Sequence, residues 1–276
     1  MVTVGLDEGG VMMTRSSNGF RVSRTPAGTG SAPTVVLIHG FLDDATVWDG
    51  LLECIAGEVG AVRYDLPGFG ARRGSVAEAS RVTLESLAAE AGEIVAEIGG
   101  PVIVVGQSLG TQVAELVAAQ HPDEVRGLVL LTPVPLGGTR LPDEIVAPFR
   151  ALGGDRVAQR GLRAELSPHL SDDQLDRLAD VGAPVVRDVT AHYVDVWNNG
   201  VSDTPTTSAF GGPALIIRGG ADGFVTEQLV NSINASFVDP ELKVIEKGGH
   251  WLHVEHPGTV ATMILDFTDA IADVTP

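Results

Sequence analysis

Val102-Ile103-Val104-Val105-Gly106-Gln107-Ser108-Leu109-Gly110 runs four aliphatic residues into the pattern G-x-S-x-G, after which Val113, Leu116 and Val117 recur at helical spacing. An unbroken Val/Ile run reads as a strand buried on both faces, and spacings of three and four read as one apolar stripe of a helix. The chain must therefore turn from strand to helix within two or three residues. Gly106 and Gly110 lack the Cβ atoms that would crowd such a turn, so Ser108 projects at the carboxyl edge of the sheet. The following helix aims its positive end and unbonded N–H groups at the same spot. G-x-S-x-G alone arises by chance in a chain with 34 glycines among 276 residues. With a strand before and a helix after, it has the context of a nucleophile elbow.

Outward from this stretch the rhythm repeats. Short apolar runs stand at 35–38, 62–64, 128–131, 214–217 and 242–245, alternating with helical patterns. Strands alternating with helices need crossovers and build a parallel sheet. Ahead of them, 11–15 and 20–23 flank Asn18-Gly19, a hairpin signal, so the sheet is expected to start antiparallel. One interval is too long, because 82 positions separate Thr132 from Ala214 where a crossover needs only about a dozen. Ser171-Asp172-Asp173-Gln174 inside it is a capping-box pattern, and Pro184 suits the first turn of a helix. Val185, Val189, Tyr193 and Val196 give that helix one apolar face, and Asn198-Asn199-Gly200 ends it. The expected organisation is a core domain of residues 1–135 and 210–276 with a helical cap at 136–209.

A serine attacks at neutral pH only when a base takes its proton. Of seven histidines, His250 follows the 242–245 run in Lys247-Gly248-Gly249-His250-Trp251, which places it in a loop at the same sheet edge as Ser108. His121, His169, His192, His253 and His256 read as surface or cap residues. Asp222 closes Arg218-Gly219-Gly220-Ala221-Asp222 after the 214–217 run, another edge loop, where a carboxylate can orient an imidazole. Asp239 is the second candidate acid, with turn formation as its simpler reading.

Two further stretches complete the pattern: Val35-Val36-Leu37-Ile38-His39-Gly40-Phe41 and Asp65-Leu66-Pro67-Gly68-Phe69-Gly70. With the elbow and the order Ser, Asp, His, the sequence resembles the α/β-hydrolase family over nearly the whole chain. The resemblance implies an α/β fold, with a mostly parallel eight-stranded sheet, helices on both faces and a helical cap inserted after strand six. It assigns Ser108 as nucleophile, Asp222 as acid and His250 as base. The oxyanion hole falls to the backbone N–H groups of Phe41 and Leu109, with Leu42 the alternative if the loop is shifted by one, and His39 shapes that loop. Serine at the elbow argues against haloalkane dehalogenases and epoxide hydrolases, which need a carboxylate there. His39-Gly40-Phe41-Leu42-Asp43 lacks the Ser-Gly residues of the family's carbon–carbon bond hydrolases. The resemblance implies cleavage of a small to medium carboxylic ester or lactone through an acyl-serine. A cofactor-free haloperoxidase or perhydrolase, a C–C bond hydrolase and a ligand receptor with a slow triad are the alternatives. Val134, Phe224 and Trp251 follow closely on the sixth strand, the acid and the base, and Tyr193 and Trp197 share a cap helix. All five are candidates for the substrate pocket, and each reads equally as core.

Composition narrows the partners. Eighteen basic against 36 acidic residues leave a formal charge of −18, the wrong sign for neutralising phosphates or anionic lipid. A small-molecule substrate is expected, with neither nucleic acid nor membrane as partner; the oligomeric state is left open. Apolar runs fall short of the ~18 residues of a membrane span, and the first thirty residues have neither a positive start nor an apolar stretch of signal-peptide length. A cytoplasmic protein is expected. Cys54 is the single cysteine, so an internal disulfide is excluded, and an inert half-buried thiol is the simplest reading. Neither a phosphate-binding glycine loop nor metal-ligand spacing is present in the sequence, so no cofactor and no metal are expected.

Overall fold

The computed structural model describes residues 2–6, 12–15, 21–25, 32–202 and 204–274. Its strands are β1 (Val2–Leu6), β2 (Met12–Arg15), β3 (Arg21–Thr25), β4 (Thr34–Ile38), β5 (Ala61–Tyr64), β6 (Val102–Gln107), β7 (Val125–Leu131), β8 (Ala214–Gly219) and β9 (Glu241–Ile245). They form one sheet in the order β1-β2-β3-β5-β4-β6-β7-β8-β9. β4 to β9 run parallel, and β1, β2 and β3 extend the sheet antiparallel. The expected eight strands are thus corrected to nine among the described residues, six of them parallel. The extra one is β1, where Gly5 interrupts the alternation and the pairing shifts register between Thr3 and Gly5. β2 and β3 pair as a hairpin; Asn18-Gly19 lies outside the described residues.

The central runs are continuous because alternate side chains enter different cores. Val36, Ile38, Val104, Leu128, Leu130 and Ile216 pack on one face with helices Leu84–Ile98 and Leu109–Gln120. Val35, Leu37, Ile103, Val105, Val129, Leu131, Leu215 and Ile217 pack on the other with helices Asp49–Ile55 and Pro257–Val274. Each such burial stabilises by roughly 1.5–3 kcal/mol, which makes these four strands the rigid platform for the loops at their carboxyl ends. β9 differs. It pairs with β8 alone at the sheet edge, so Leu242 and Val244 are exposed, and Lys243 guards the open edge. Cys54, expected half-buried, is exposed.

Between β7 and β8 lie the helices Asp143–Arg150, Arg156–Leu166, Asp172–Gly182 and Arg187–Asn199. Ser171 and Gln174 form both halves of a capping box, and Gly200 ends the last helix at φ 57°. Pro184 precedes the Arg187–Asn199 helix and sits in the turn before it, outside the first helical turn. These helices are sewn to the carboxyl edge of the sheet. Tyr193 Oη donates to Pro67 O at 2.8 Å, Gln112 Nε2 to Trp197 O at 3.1 Å, and His250 N to Leu166 O at 3.0 Å. Among the described residues no helix is long and apolar enough to cross a membrane.

Candidate active site

Ser108 sits between β6 and the helix Leu109–Gln120 at φ 51°, ψ −121°. A non-glycine residue in this region costs of order 1–3 kcal/mol and persists only where its surroundings fix it. Here Ser108 N donates to Leu131 O at 3.0 Å, while its carbonyl accepts from Thr111 N at 2.9 Å and Thr111 Oγ1 at 2.6 Å. The flanking glycines make the turn possible. A Cβ on Gly106 would overlap the Gly110 carbonyl, and one on Gly110 would overlap the Ile38 carbonyl. Ser108 is buried to 8% exposure at the elbow.

Asp222 and His250 arrive on the loops that follow β8 and β9. The loops lie backbone to backbone, since a Cβ on Gly219 would overlap the Gly249 carbonyl. His250 Nδ1 donates to Asp222 Oδ2 at 2.8 Å. The other carboxylate oxygen accepts from Phe224 N at 2.8 Å and Val225 N at 3.0 Å. Burial pushes the Asp222 carboxyl up, but His250 beside it and the two amides outweigh this and hold it below the usual carboxylate range. An ionised acceptor at Nδ1 fixes the tautomer and leaves the lone pair of the neutral ring on Nε2. The His250 backbone is anchored as well, with its carbonyl accepting from Gln107 Nε2 and Thr132 Oγ1, both at 3.1 Å. Asp239 lies exposed in a turn at φ 49°.

Ser108 and His250 border one cavity of about 40 Å³, walled by Phe41, Gln107, Phe149, Leu162, Leu166, Trp197, Phe224 and Trp251. Its rings interlock: Phe149, Trp197 and Phe224 stand 5.7–5.8 Å apart, Phe224 lies 5.9 Å from His250, and Trp251 lies 5.0 Å from it. Of the five sequence candidates for the pocket, Trp197, Phe224 and Trp251 border this cavity. Val134 and Tyr193 do not, which corrects that expectation. Val134 is buried, with its N–H donating to Thr111 Oγ1 at 3.1 Å. Tyr193 is buried with its ring 4.7 Å from Phe69 and its hydroxyl on Pro67. Phe149, Leu162 and Leu166 were missed. Leu162 and Leu166, four apart in a helix that also carries Arg156, Arg160, Arg163 and Glu165, carried a usable signal; Phe149 carried none.

The loop after β4 turns at Gly40-Phe41-Leu42-Asp43, closed by Asp43 N donating to Gly40 O at 3.4 Å, with Leu42 at φ 61°. Phe41 borders the cavity. Leu109 opens its helix, so its N–H belongs to the first turn, which has no acceptor within the helix. His39 joins two loops, its Nε2 accepting from Leu66 N at 3.0 Å and its Nδ1 donating to Gly40 O at 2.9 Å. His253 departs from the surface reading. It is fully buried, its ring 4.4 Å from Trp48, and neither ring nitrogen has a hydrogen-bond partner among the described residues.

A family model described as "Alpha/beta hydrolase family" matches residues 35–263. The chain is 28% identical over 253 residues to a pimeloyl-[acyl-carrier protein] methyl ester esterase of Cronobacter sakazakii, covering 87% of this chain and 94% of that protein. The protein of the same name from Nitrosomonas europaea is 36% identical over 107 residues, which are 39% of this chain and 40% of that one. Among solved structures, the esterase EaEST of Exiguobacterium antarcticum superposes with a TM-score of 0.79 at 14% identity, covering 93% of this chain and 98% of that one.

Proposed function

Because the chain belongs to the alpha/beta hydrolase family, we propose that it is a serine esterase that cleaves small to medium carboxylic esters through an acyl-serine intermediate. The observation that carries this is His250, held at 2.8 Å by Asp222 and bordering the same cavity as Ser108. His250 Nε2 takes the Ser108 Oγ proton as the oxygen attacks the ester carbonyl. The Phe41 and Leu109 amides hold the oxyanion, and the ionised Asp222 stabilises the imidazolium. The tetrahedral intermediate collapses as the alkoxide leaves with the proton from His250. A water, deprotonated by the same nitrogen, then attacks the acyl-serine, and the carboxylic acid departs while Ser108 regains its proton. With a lactone the leaving alcohol stays tethered to the acyl group, and the steps are otherwise the same. The relatives named as methyl ester esterases support an ester as the substrate.

The cavity supports a compact acyl group. Its volume of about 40 Å³ compares with the roughly 10–15 Å³ that a single water needs, which leaves space for a short acyl chain beside the reacting carbon. Phe149 is the wall contributed by the cap helix Asp143–Arg150. One methylene too many in an apolar pocket is worth about 10–200-fold in specificity. On a panel of p-nitrophenyl esters, kcat/KM is expected to peak at acetate to butyrate and fall with each added carbon. Phe149→Ala is expected to move the peak to longer chains and raise kcat/KM for the octanoate at least about tenfold. A panel with no chain-length preference in the wild type, or no shift in the variant, argues against this substrate class.

A further inference from the structure

Arg163 lies on the cap helix Arg156–Leu166 yet is buried as deeply as the core. Its side chain is 2% exposed and that of its ionic partner Asp43 1%. Arg163 Nη2 donates to the Leu42 carbonyl at 2.8 Å and to Asp43 Oδ1 at 3.3 Å, and Nη1 to Gln159 Oε1 at 3.2 Å. Gln159 is itself fixed, its Nε2 donating to the carbonyls of Leu152 at 2.9 Å and Gly182 at 3.1 Å. Trp251, next to His250, donates its Nε1 to Asp43 Oδ2 at 2.9 Å, and the guanidinium carbon lies 5.3 Å from the Trp251 ring centre. One cation therefore ties the cap to the loop after β4 and to the loop of the base.

Stability gives no reason for such a pair. Removing two ions from water costs about as much as their attraction returns, and apolar replacements of similar size are often neutral or better. The conformation of the loop gives one. Leu42 stands at φ 61° in the third position of the Gly40–Asp43 turn, a place that ordinarily takes glycine or asparagine. Its carbonyl is the group that Arg163 hooks, and the next residue is the one that Arg163 pairs with. The hooked residues directly follow Phe41, whose amide faces the Ser108 cavity in the serine-esterase reading. Nη2 serves the turn and Nη1 serves Gln159, so two nitrogens of one rigid planar group fix helix and turn together, which the single nitrogen of an ammonium cannot do.

We propose that Arg163 is a positioning residue of the active site: it holds the Leu42–Asp43 turn so that the Phe41 amide is presented to the oxyanion, and through Asp43 and Trp251 it sets the His250 loop against the same turn. Docking of the cap and assembly of the oxyanion hole are then one event. The proposal rests on the serine-esterase reading.

The test uses Arg163→Lys, which keeps the charge but loses the fork, and Arg163→Met/Asp43→Leu, which removes both ions together. Each is compared with wild type on p-nitrophenyl butyrate below its own melting midpoint, with fluorophosphonate titration counting the competent sites. Loss of one oxyanion donor costs about 10²–10³ in kcat. Arg163→Lys is expected to lose at least about tenfold in kcat and the double variant about 10²-fold, with KM changed less than about threefold; the double variant also melts below wild type, because Trp251 Nε1, the Leu42 carbonyl and Gln159 Oε1 lose these partners. A role in packing alone would lower the melting midpoint and leave kcat per labelled site unchanged. Wild-type kcat per site in either variant overturns the proposal by itself. A wild-type protein that turns over no ester overturns the serine-esterase reading and the proposal with it.

Discussion

A Ser108→Ala protein is expected to fold as wild type and to lose ester turnover by about 10⁶-fold, the order seen when a triad nucleophile is removed. Folding is retained because the elbow is held by backbone: Ser108 N on Leu131 O and Ser108 O under Thr111. The hydroxyl supplies chemistry that no neighbour duplicates. Asp222→Asn is expected to cost less, about 10⁴-fold. An asparagine oxygen still accepts from Phe224 and Val225, but its amide nitrogen then faces His250 Nδ1. Two donors cannot share that contact, so the ring turns its lone pair to Nδ1 and its proton to Nε2, the wrong tautomer for a base. The two losses are read as kcat on p-nitrophenyl acetate, with circular dichroism and melting midpoint as folding controls. Turnover within tenfold of wild type in Ser108→Ala, at an unchanged melting midpoint, would remove the serine from the mechanism.

The second large effect is on stability in acid, and it lies outside the catalytic steps. Burial, with the nearby charge of His250 adding to it, lowers the His253 pKa from 6.5 to about 3. In the unfolded chain the imidazole takes up a proton as pH falls through 6.5, whereas the folded protein takes none until about 3. The unfolded state therefore binds more protons throughout that window, and stability drops by about 1.36 kcal/mol per pH unit. Across the window the loss is about 5 kcal/mol, comparable with the whole stability of a marginal domain. His253→Phe keeps a ring against Trp48 and removes two buried nitrogens that have no partner among the described residues. Urea unfolding at pH 7 and pH 4.5 checks this. The wild type is expected to lose about 2.5 kcal/mol more than the variant between the two. Equal losses would show that His253 does not drive the acid sensitivity.

What the sequence disclosed follows from physics that is local. The strand 102–105 and its elbow were legible because both faces of β6 are buried, which forces an unbroken aliphatic run, and because the Gly106–Gly110 approach tolerates no Cβ. Phe224 and Trp251 were legible as pocket walls because they are chained to Asp222 and His250. The segment between β7 and β8 was legible as a long interval and as helices, through the Ser171–Gln174 box and Gly200. Which side of each cap helix meets the core was not. Tyr193 and Trp197 lie one helical turn apart, yet one is pinned to Pro67 and the other borders the cavity. Arg156, Arg160 and Arg163 look alike in sequence. In the fold the first two reach across to Asp172, Asp176 and Asp180 on the neighbouring helix, in solvent, and the third is buried on Asp43. That difference depends on how the cap docks, and composition and spacing do not encode it. The 242–245 run marked a strand but not its place at the sheet edge, where β9 borders β8 alone.

Covalent labelling tests the central claim most directly. The protein is incubated with a fluorophosphonate, residual esterase activity is followed on p-nitrophenyl acetate, and the adduct is located by peptide mass spectrometry. The expected result is one adduct per chain, on Ser108, formed at the rate at which activity disappears. Activity lost with the adduct on another residue, or activity retained while Ser108 is fully labelled, would contradict the assignment of Ser108 as the nucleophile.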